Sequence, residues 1–147
     1  MEKIIIGSDH GGYELKEILK SELLKFDFEV IDAGCPSKAS VHFPEIGEKV
    51  VREILSGSCK RGILICGTGI GMSIAANRFK GIRATLCHDH LTAELSRQHN
   101  NSNILVLGGR LLGDVCAIDI MQTWLNTEFQ GGRHQIRLDM VDQCNFE

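Results

Sequence analysis

The sequence predicts a three-layer α/β domain built on a five-stranded parallel sheet, and three observations carry that expectation. Short apolar runs alternate along the 147 residues with longer segments whose apolar positions recur at helical spacing. The runs Ile4-Ile5-Ile6, Ile63-Leu64-Ile65 and Ile104-Leu105-Val106-Leu107 read as buried strands. Glycine-rich loops follow those runs, where the chain must turn from strand into helix.

Residues 3–7 read as the first strand. A helix follows, with Leu15, Ile18, Leu19 and Leu23 on one face and Glu14, Lys16, Glu17 and Lys20 on the other. Residues 28–32 form the second strand, followed by a long aperiodic loop over 33–43. Pro44 suits the first turn of a helix whose buried stripe is Ile46, Val50, Val51, Ile54 and Leu55. Residues 62–66 make the third strand, which runs into Gly67-Thr68-Gly69-Ile70-Gly71 and a short helix. The fourth strand spans 82–87 and leads to a helix carrying Leu91, Leu95 and His99 on one face. The fifth spans 103–107. A helix over 113–129 turns Val115, Ile118, Met121 and Leu125 inward, and Gly131-Gly132 breaks it before a final helical segment with Arg133 and Arg137. This is a Rossmann-like arrangement, one domain over 1–147, in which ligands bind beyond the carboxyl ends of the strands. The loops at those ends are Ser8-Asp9-His10-Gly11-Gly12, Gly67 to Gly71, and Gly108-Gly109-Arg110.

Composition narrows the function. Hydrophobic residues make up 43% and charged residues 24%, the balance of a globular chain. A net charge of -3 leaves no electrostatic footprint for nucleic acid or an anionic membrane. No apolar run approaches the roughly 20 residues needed to cross a bilayer, and the first residues lack a signal-peptide pattern. The six cysteines, at 35, 59, 66, 87, 116 and 144, include no C-x-x-C pair, so reduced thiols in a cytoplasmic protein are expected.

Cys66 ends a strand just before a glycine loop that opens a helix, where backbone N–H groups favour a thiolate able to act as base or nucleophile. Position alone fits a small buried hydrophobe as well. The loop lets several N–H groups face one anion. It is no dinucleotide fingerprint, because its third glycine comes one residue early, although Asp89 lies at a suitable distance for a ribose contact. It lacks the P-loop lysine, since Gly71-Met72-Ser73 stands in that place. It also lacks the arginine a cysteine phosphatase would need six residues after Cys66, where Met72 stands. An anion-stabilising loop beside a thiol survives, alongside a plain tight turn.

Asp9 is suited to sugar hydroxyls, to orienting His10, or to capping the following helix. His99, near a helix C-terminus, suits a general acid; a lone histidine on an apolar face also fits a core position. Arg133 and Arg137, four apart, share a helix face and suit a phosphate grip, or remain solvated. His88-Asp89-His90 has no third ligand nearby in sequence, so no metal and no cofactor are expected.

Five separated motifs in one order carry a resemblance. They are Gly7-Ser8-Asp9-His10-Gly11-Gly12, the run from Gly62 to Gly71, Ser73-Ile74-Ala75-Ala76-Asn77, Ser96-Arg97-Gln98-His99-Asn100, and Gly131-Gly132-Arg133-His134-Gln135. The chain resembles, almost end to end, the ribose-5-phosphate isomerase B family shared with allose- and galactose-6-phosphate isomerases. The resemblance implies that Cys66 is the base, His99 the ring-opening proton donor, and Thr68 a helper of proton transfer between O1 and O2. It implies substrate contacts at Asp9, His10, Gly67, Thr68, Gly69, Ile70, Gly71, Asn100, Arg110, Arg133 and Arg137. It also implies a homodimer or tetramer, with Cys66 and His99 of one site coming from different chains and the segment of about 131–147 reaching the partner. A second branch uses a glutamate in the loop; Met72 stands there, leaving Cys66. Many members carry a tyrosine where Phe43 stands, so the rim here lacks that hydroxyl. The implied reaction interconverts D-ribose 5-phosphate and D-ribulose 5-phosphate. A six-carbon sugar phosphate, a sugar-phosphate- or nucleotide-binding module without turnover, and a redox sensor are the alternatives.

Overall fold

The computed structural model describes residues 1–144. Its strands are β1 (Glu2–Ser8), β2 (Phe28–Asp32), β3 (Arg61–Cys66), β4 (Ala84–Leu86) and β5 (Ile104–Gly108), all parallel in the order β2-β1-β3-β5-β4. The helices are α1 (Tyr13–Leu23), α2 (Phe43–Leu55), α3 (Ile70–Ala76), α4 (His90–Gln98), α5 (Asp114–Asn126) and α6 (Arg133–Asp142), and a single 3-10 turn, His10–Gly12, precedes α1. The expected α/β class, five-stranded parallel sheet and Rossmann-like layering hold, with strand ends and the ends of α5 shifted by at most three residues.

Successive strand residues point to opposite faces, and the core divides accordingly. Ile4, Ile6, Ile63, Ile65, Leu105 and Leu107 pack under Leu15, Leu19 and Leu23 of α1, Ala93 of α4, and Ala117, Ile120, Met121 and Trp124 of α5. Ile5, Leu64, Cys66, Ile104 and Val106 face Ile46, Val50 and Val51 of α2 and Met72 and Ala76 of α3. Both faces are covered, which is why these strands are uniformly apolar.

Four sequence expectations are corrected. Leu55, expected in the buried stripe of α2, is 51% exposed. Lys16 lies on the inward side of α1, 1% exposed, with Nζ 2.8 Å from both carboxylate oxygens of Asp32. A buried ammonium persists only when paired, and the strand end supplies the carboxylate. On α5, Val115 is 83% exposed, and the inward stripe is Ala117, Ile120, Met121 and Trp124. On α4, Leu91 is 58% exposed and the buried residues are Ala93 and Ser96, so Leu91, Leu95 and His99 do not form its buried face. The last residues of the expected C-terminal segment, 145–147, lie outside the described residues.

Candidate active site

The strand order makes the chain leave β1 toward β2 on one side and return to β3 on the other. The loops after β1 and β3 therefore sit together at a topological switch point, with the loop after β5 beside them. Register enforces this: Ser8 lies opposite Ile65, and Cys66 opposite Gly108. The three loops are stitched by main-chain bonds. Asp9 N–H donates to Ile65 O at 3.1 Å, Gly109 N–H to Cys66 O at 2.8 Å, and Arg110 N–H to Gly67 O at 2.9 Å. They also touch backbone to backbone: a Cβ on Gly109 would stand 2.8 Å from Gly11 O and 2.9 Å from Gly12 Cα.

Cys66 ends β3, 4% exposed, its side chain in the core face shared with Met72 and Val106. Gly69, at φ 81°, turns the chain from the strand into α3. Thr68 is exposed, and its Oγ1 accepts from Ile70 N–H at 3.2 Å. Among the described residues, the N–H groups of Gly67, Thr68, Gly69 and Gly71 donate to no protein acceptor. Because α3 has only seven residues, the loop's own amides supply most of the positive potential there. Met72 is fully buried and points away from the loop into the core. The ring of Phe43 lies against Gly71, where an added Cβ would meet it at 2.8 Å.

Asp9 caps the turn before α1, its Oδ1 accepting from Gly12 N–H at 3.2 Å, so the capping role is realised in this chain. His10 Nδ1 accepts from Val41 N–H at 3.3 Å, which leaves Nε2 to carry the hydrogen of the neutral ring. Arg110 is exposed and lies over Gly67, where an added Cβ would stand 3.5 Å from the guanidinium. Beside them opens a cleft of ≈ 400 Å³, lined by His10, Gly11, Glu14, Lys38, Gly109 and Arg110. Lys38 and Glu14 pair across its rim, so the ion pair holds the Glu14 carboxyl below and the Lys38 ammonium above their ordinary values.

The remaining residues gather elsewhere. His99 caps the C-terminus of α4, a helix that runs antiparallel to the strands, and so lies at their amino ends. There Asn101, at φ 46°, turns the chain back, and its carbonyl accepts from Arg83 Nε just before β4. The four residue steps of β5 put about 13 Å of strand between that end and Gly108, opposite Cys66. Asn100 follows His99 and is exposed, and Arg133 and Arg137 project into solvent from α6. Between them His134, 7% exposed, stacks on His99 with ring centroids 4.4 Å apart and planes 13° apart. Sequence reasoning assigns His134 no role; its place in the Gly-Gly-Arg-His-Gln motif is the available signal. The structure thus assembles two clusters at opposite ends of one sheet. One holds Asp9, His10, Cys66, Thr68, the glycine loop and Arg110; the other holds His99, Asn100, Arg133 and Arg137.

Among the described residues, no group of three or more His, Cys, Asp or Glu side chains is placed to hold a metal. Asp89, considered for a ribose, instead caps α4 through Thr92 N–H at 2.7 Å. No helix of the described residues is long and apolar enough to cross a membrane. All six cysteines are unpaired.

Comparison with known proteins places this architecture. The sequence profile of the family described as Ribose/Galactose Isomerase matches residues 4–141. Ribose-5-phosphate isomerase B of Escherichia coli is 43% identical over 141 residues, which is 96% of this chain and 95% of the relative. Ribose-5-phosphate isomerase B of Clostridium thermocellum superposes with a TM-score of 0.95 at 52% identity, covering 96% of this chain and 95% of that one. Ribose-5-phosphate isomerase B of Mycoplasma genitalium, solved with bound ribulose-5-phosphate, superposes with a TM-score of 0.92 at 40% identity, covering 96% and 94%. Fold, loop placement and near-complete coverage agree: the chain belongs to the ribose/galactose isomerase family.

Proposed function

We propose that this isomerase interconverts D-ribose 5-phosphate and D-ribulose 5-phosphate through an enediolate, in a site shared by two copies of the chain. The observation that carries the reading is a thiol at the end of β3 beside a loop with four N–H groups lacking a protein partner. A C–H next to a carbonyl loses its proton only if the developing oxyanion is stabilised, and preorganised N–H donors do this. In this reading Cys66 removes the proton from C2 of the open-chain aldose and returns it to C1. The amides of 67–71 hold the oxyanion, and Thr68 passes a proton between O1 and O2. Asp9 and His10 bind the sugar.

His99 acts one step earlier. It protonates the ring oxygen as the C1–O4 bond breaks, and the C1 hydroxyl loses its proton to water as the aldehyde forms. Arg110, Arg133 and Arg137 take the phosphate and orient the substrate, with Asn100 beside them. Since Cys66 and His99 lie at opposite ends of one sheet, His99 reaches the sugar only from a partner chain. Exposed Ile70 and Ile74 on α3, Leu91 on α4, and Ile136 and Met140 on α6 supply apolar surface for a symmetric dimer, alone or doubled into a tetramer. Unpaired thiols throughout suit a cytoplasmic setting.

Incubation with ribose 5-phosphate in deuterated water tests the reading. Ribulose 5-phosphate forms and deuterium enters C2 of the recovered aldose; Cys66→Ala lowers both by about 10²–10⁴-fold. Faster turnover of allose 6-phosphate would reassign the substrate to six carbons. Unlabelled sugar at high enzyme concentration would leave only a binding module.

A further inference from the structure

One buried ionisable group has no part in the chemistry above. His134 sits in the first turn of α6, between the two arginines, and the chain is folded to bring it there. Gly131 and Gly132 take consecutive positive φ values of 65° and 58°, reversing the chain directly before the helix. Gln130 N–H donates to Gln98 O at 3.1 Å, tying that turn to the last residue of α4. His134 N–H then donates to Gly131 O at 3.1 Å. The result is the face-to-face stack on His99. Among the described residues, no side-chain hydrogen bond orients the His99 ring, so the stack is the contact that fixes its plane.

The geometry points to His134 as a positioning residue for ring opening: its buried ring, stacked face to face, holds the His99 imidazole in one plane. Burial, then the neighbouring His99, Arg133 and Arg137, hold the His134 pKa below the ordinary histidine value. Two imidazolium rings face to face beside two arginines would repel at contact distance. A neutral aromatic face under a protonated ring is instead attractive.

This inference rests on the isomerase reading, and the two substrates separate them. Ribose 5-phosphate is mainly a closed furanose and needs His99. Ribulose 5-phosphate, its C5 oxygen phosphorylated, cannot close that ring and needs only the Cys66 proton transfer. Turnover of ribose 5-phosphate is compared with deuterium wash-in at C1 of ribulose 5-phosphate, both at saturating substrate, in His134→Leu and His134→Phe. Leucine fills the space without a flat face, and ribose 5-phosphate turnover falls roughly three- to tenfold. C1 exchange stays at the unaltered enzyme's rate. Phenylalanine restores the face and brings turnover back to within about twofold. If leucine prevents folding, His134→Asn carries the same comparison. Equal rates for the leucine and phenylalanine variants, or a parallel fall in turnover and exchange, would overturn the assignment. Absence of exchange in the unaltered enzyme would instead strike the isomerase reading itself.

Discussion

Asp32 shows how a single carboxylate connects the core to the site. It accepts from Lys16 at 2.8 Å, from Lys20 at 2.7 Å and from Gly34 N–H at 2.9 Å. Gly34 and Cys35 in turn bracket Ser8, the residue before Asp9, through Ser8 N–H to Gly34 O at 2.7 Å and Cys35 N–H to Ser8 O at 2.8 Å. Burial alone would raise the Asp32 pKa, but the two ammoniums and the Gly34 N–H outweigh it, and the carboxyl sits below its ordinary value. A depressed acid contributes stability that is full above the unfolded value, about 3.9, and is lost as pH falls through the lower folded value. Asp32→Asn leaves buried Lys16 with only the more exposed Glu17, 3.2 Å away, as its anion and is expected to cost about 2 kcal/mol at pH 7. Lys16→Met removes the charge and keeps the stem, so the smaller loss belongs to that variant. Urea unfolding at pH 7 and pH 3 checks both: the asparagine variant shows the weaker dependence on acid, and equal slopes in the two proteins would exclude this role.

At the scale of elements, the strands are more legible in the sequence than the faces of the helices. A strand covered on both sides is a plain apolar run, whereas a helix face is set by what it packs against. α4 packs chiefly on α5 and buries Ala93 and Ser96, small residues that a hydrophobic pattern underweights, so periodicity points Leu91 inward in their place. The same holds on α5, where Ala117 is buried and Val115 is not. The burial of Lys16 is illegible for a different reason, since its partner Asp32 lies on another element. The glycine loop, by contrast, is legible because its demands are local. Gly69 combines φ 81° with a Cβ position 3.0 Å from Leu107 C, whereas Gly57, at φ 83°, has nothing within 4 Å. Gly57→Ala therefore carries conformational strain alone, about 1 kcal/mol. Gly69→Ala adds a main-chain clash between the loop and β5, for roughly 2–3 kcal/mol in all. Thermal unfolding of the two variants measures that difference, and isomerase activity should fall only in the Gly69 variant.

Over the whole molecule, the loops at the carboxyl ends of β1, β3 and β5 are predictable as one cluster from the residues, whereas the separation of His99 from it is implied only by the family resemblance. That separation follows from the direction of α4, whose nine residues carry the chain about 13 Å back toward the amino ends of the strands. The proposed two-fold pair would solve the problem, because a symmetric interface that brings residue 99 of one copy to residue 66 of the other makes the reverse contact as well. The arrangement has an arithmetic consequence. On that proposal Cys66→Ala and His99→Asn are each expected to lose turnover of ribose 5-phosphate alone, yet a hybrid pair would hold one site with Cys66 from one chain and His99 from the other. Its second site lacks both. After unfolding and refolding an equal mixture, half the pairs are hybrids with one working site of two, so about a quarter of the original activity returns. Were both groups drawn from the same chain, every site in the mixture would lack one of them and no activity would return. Activity measured before and after co-refolding, with each variant refolded alone as the reference, decides between the two arrangements.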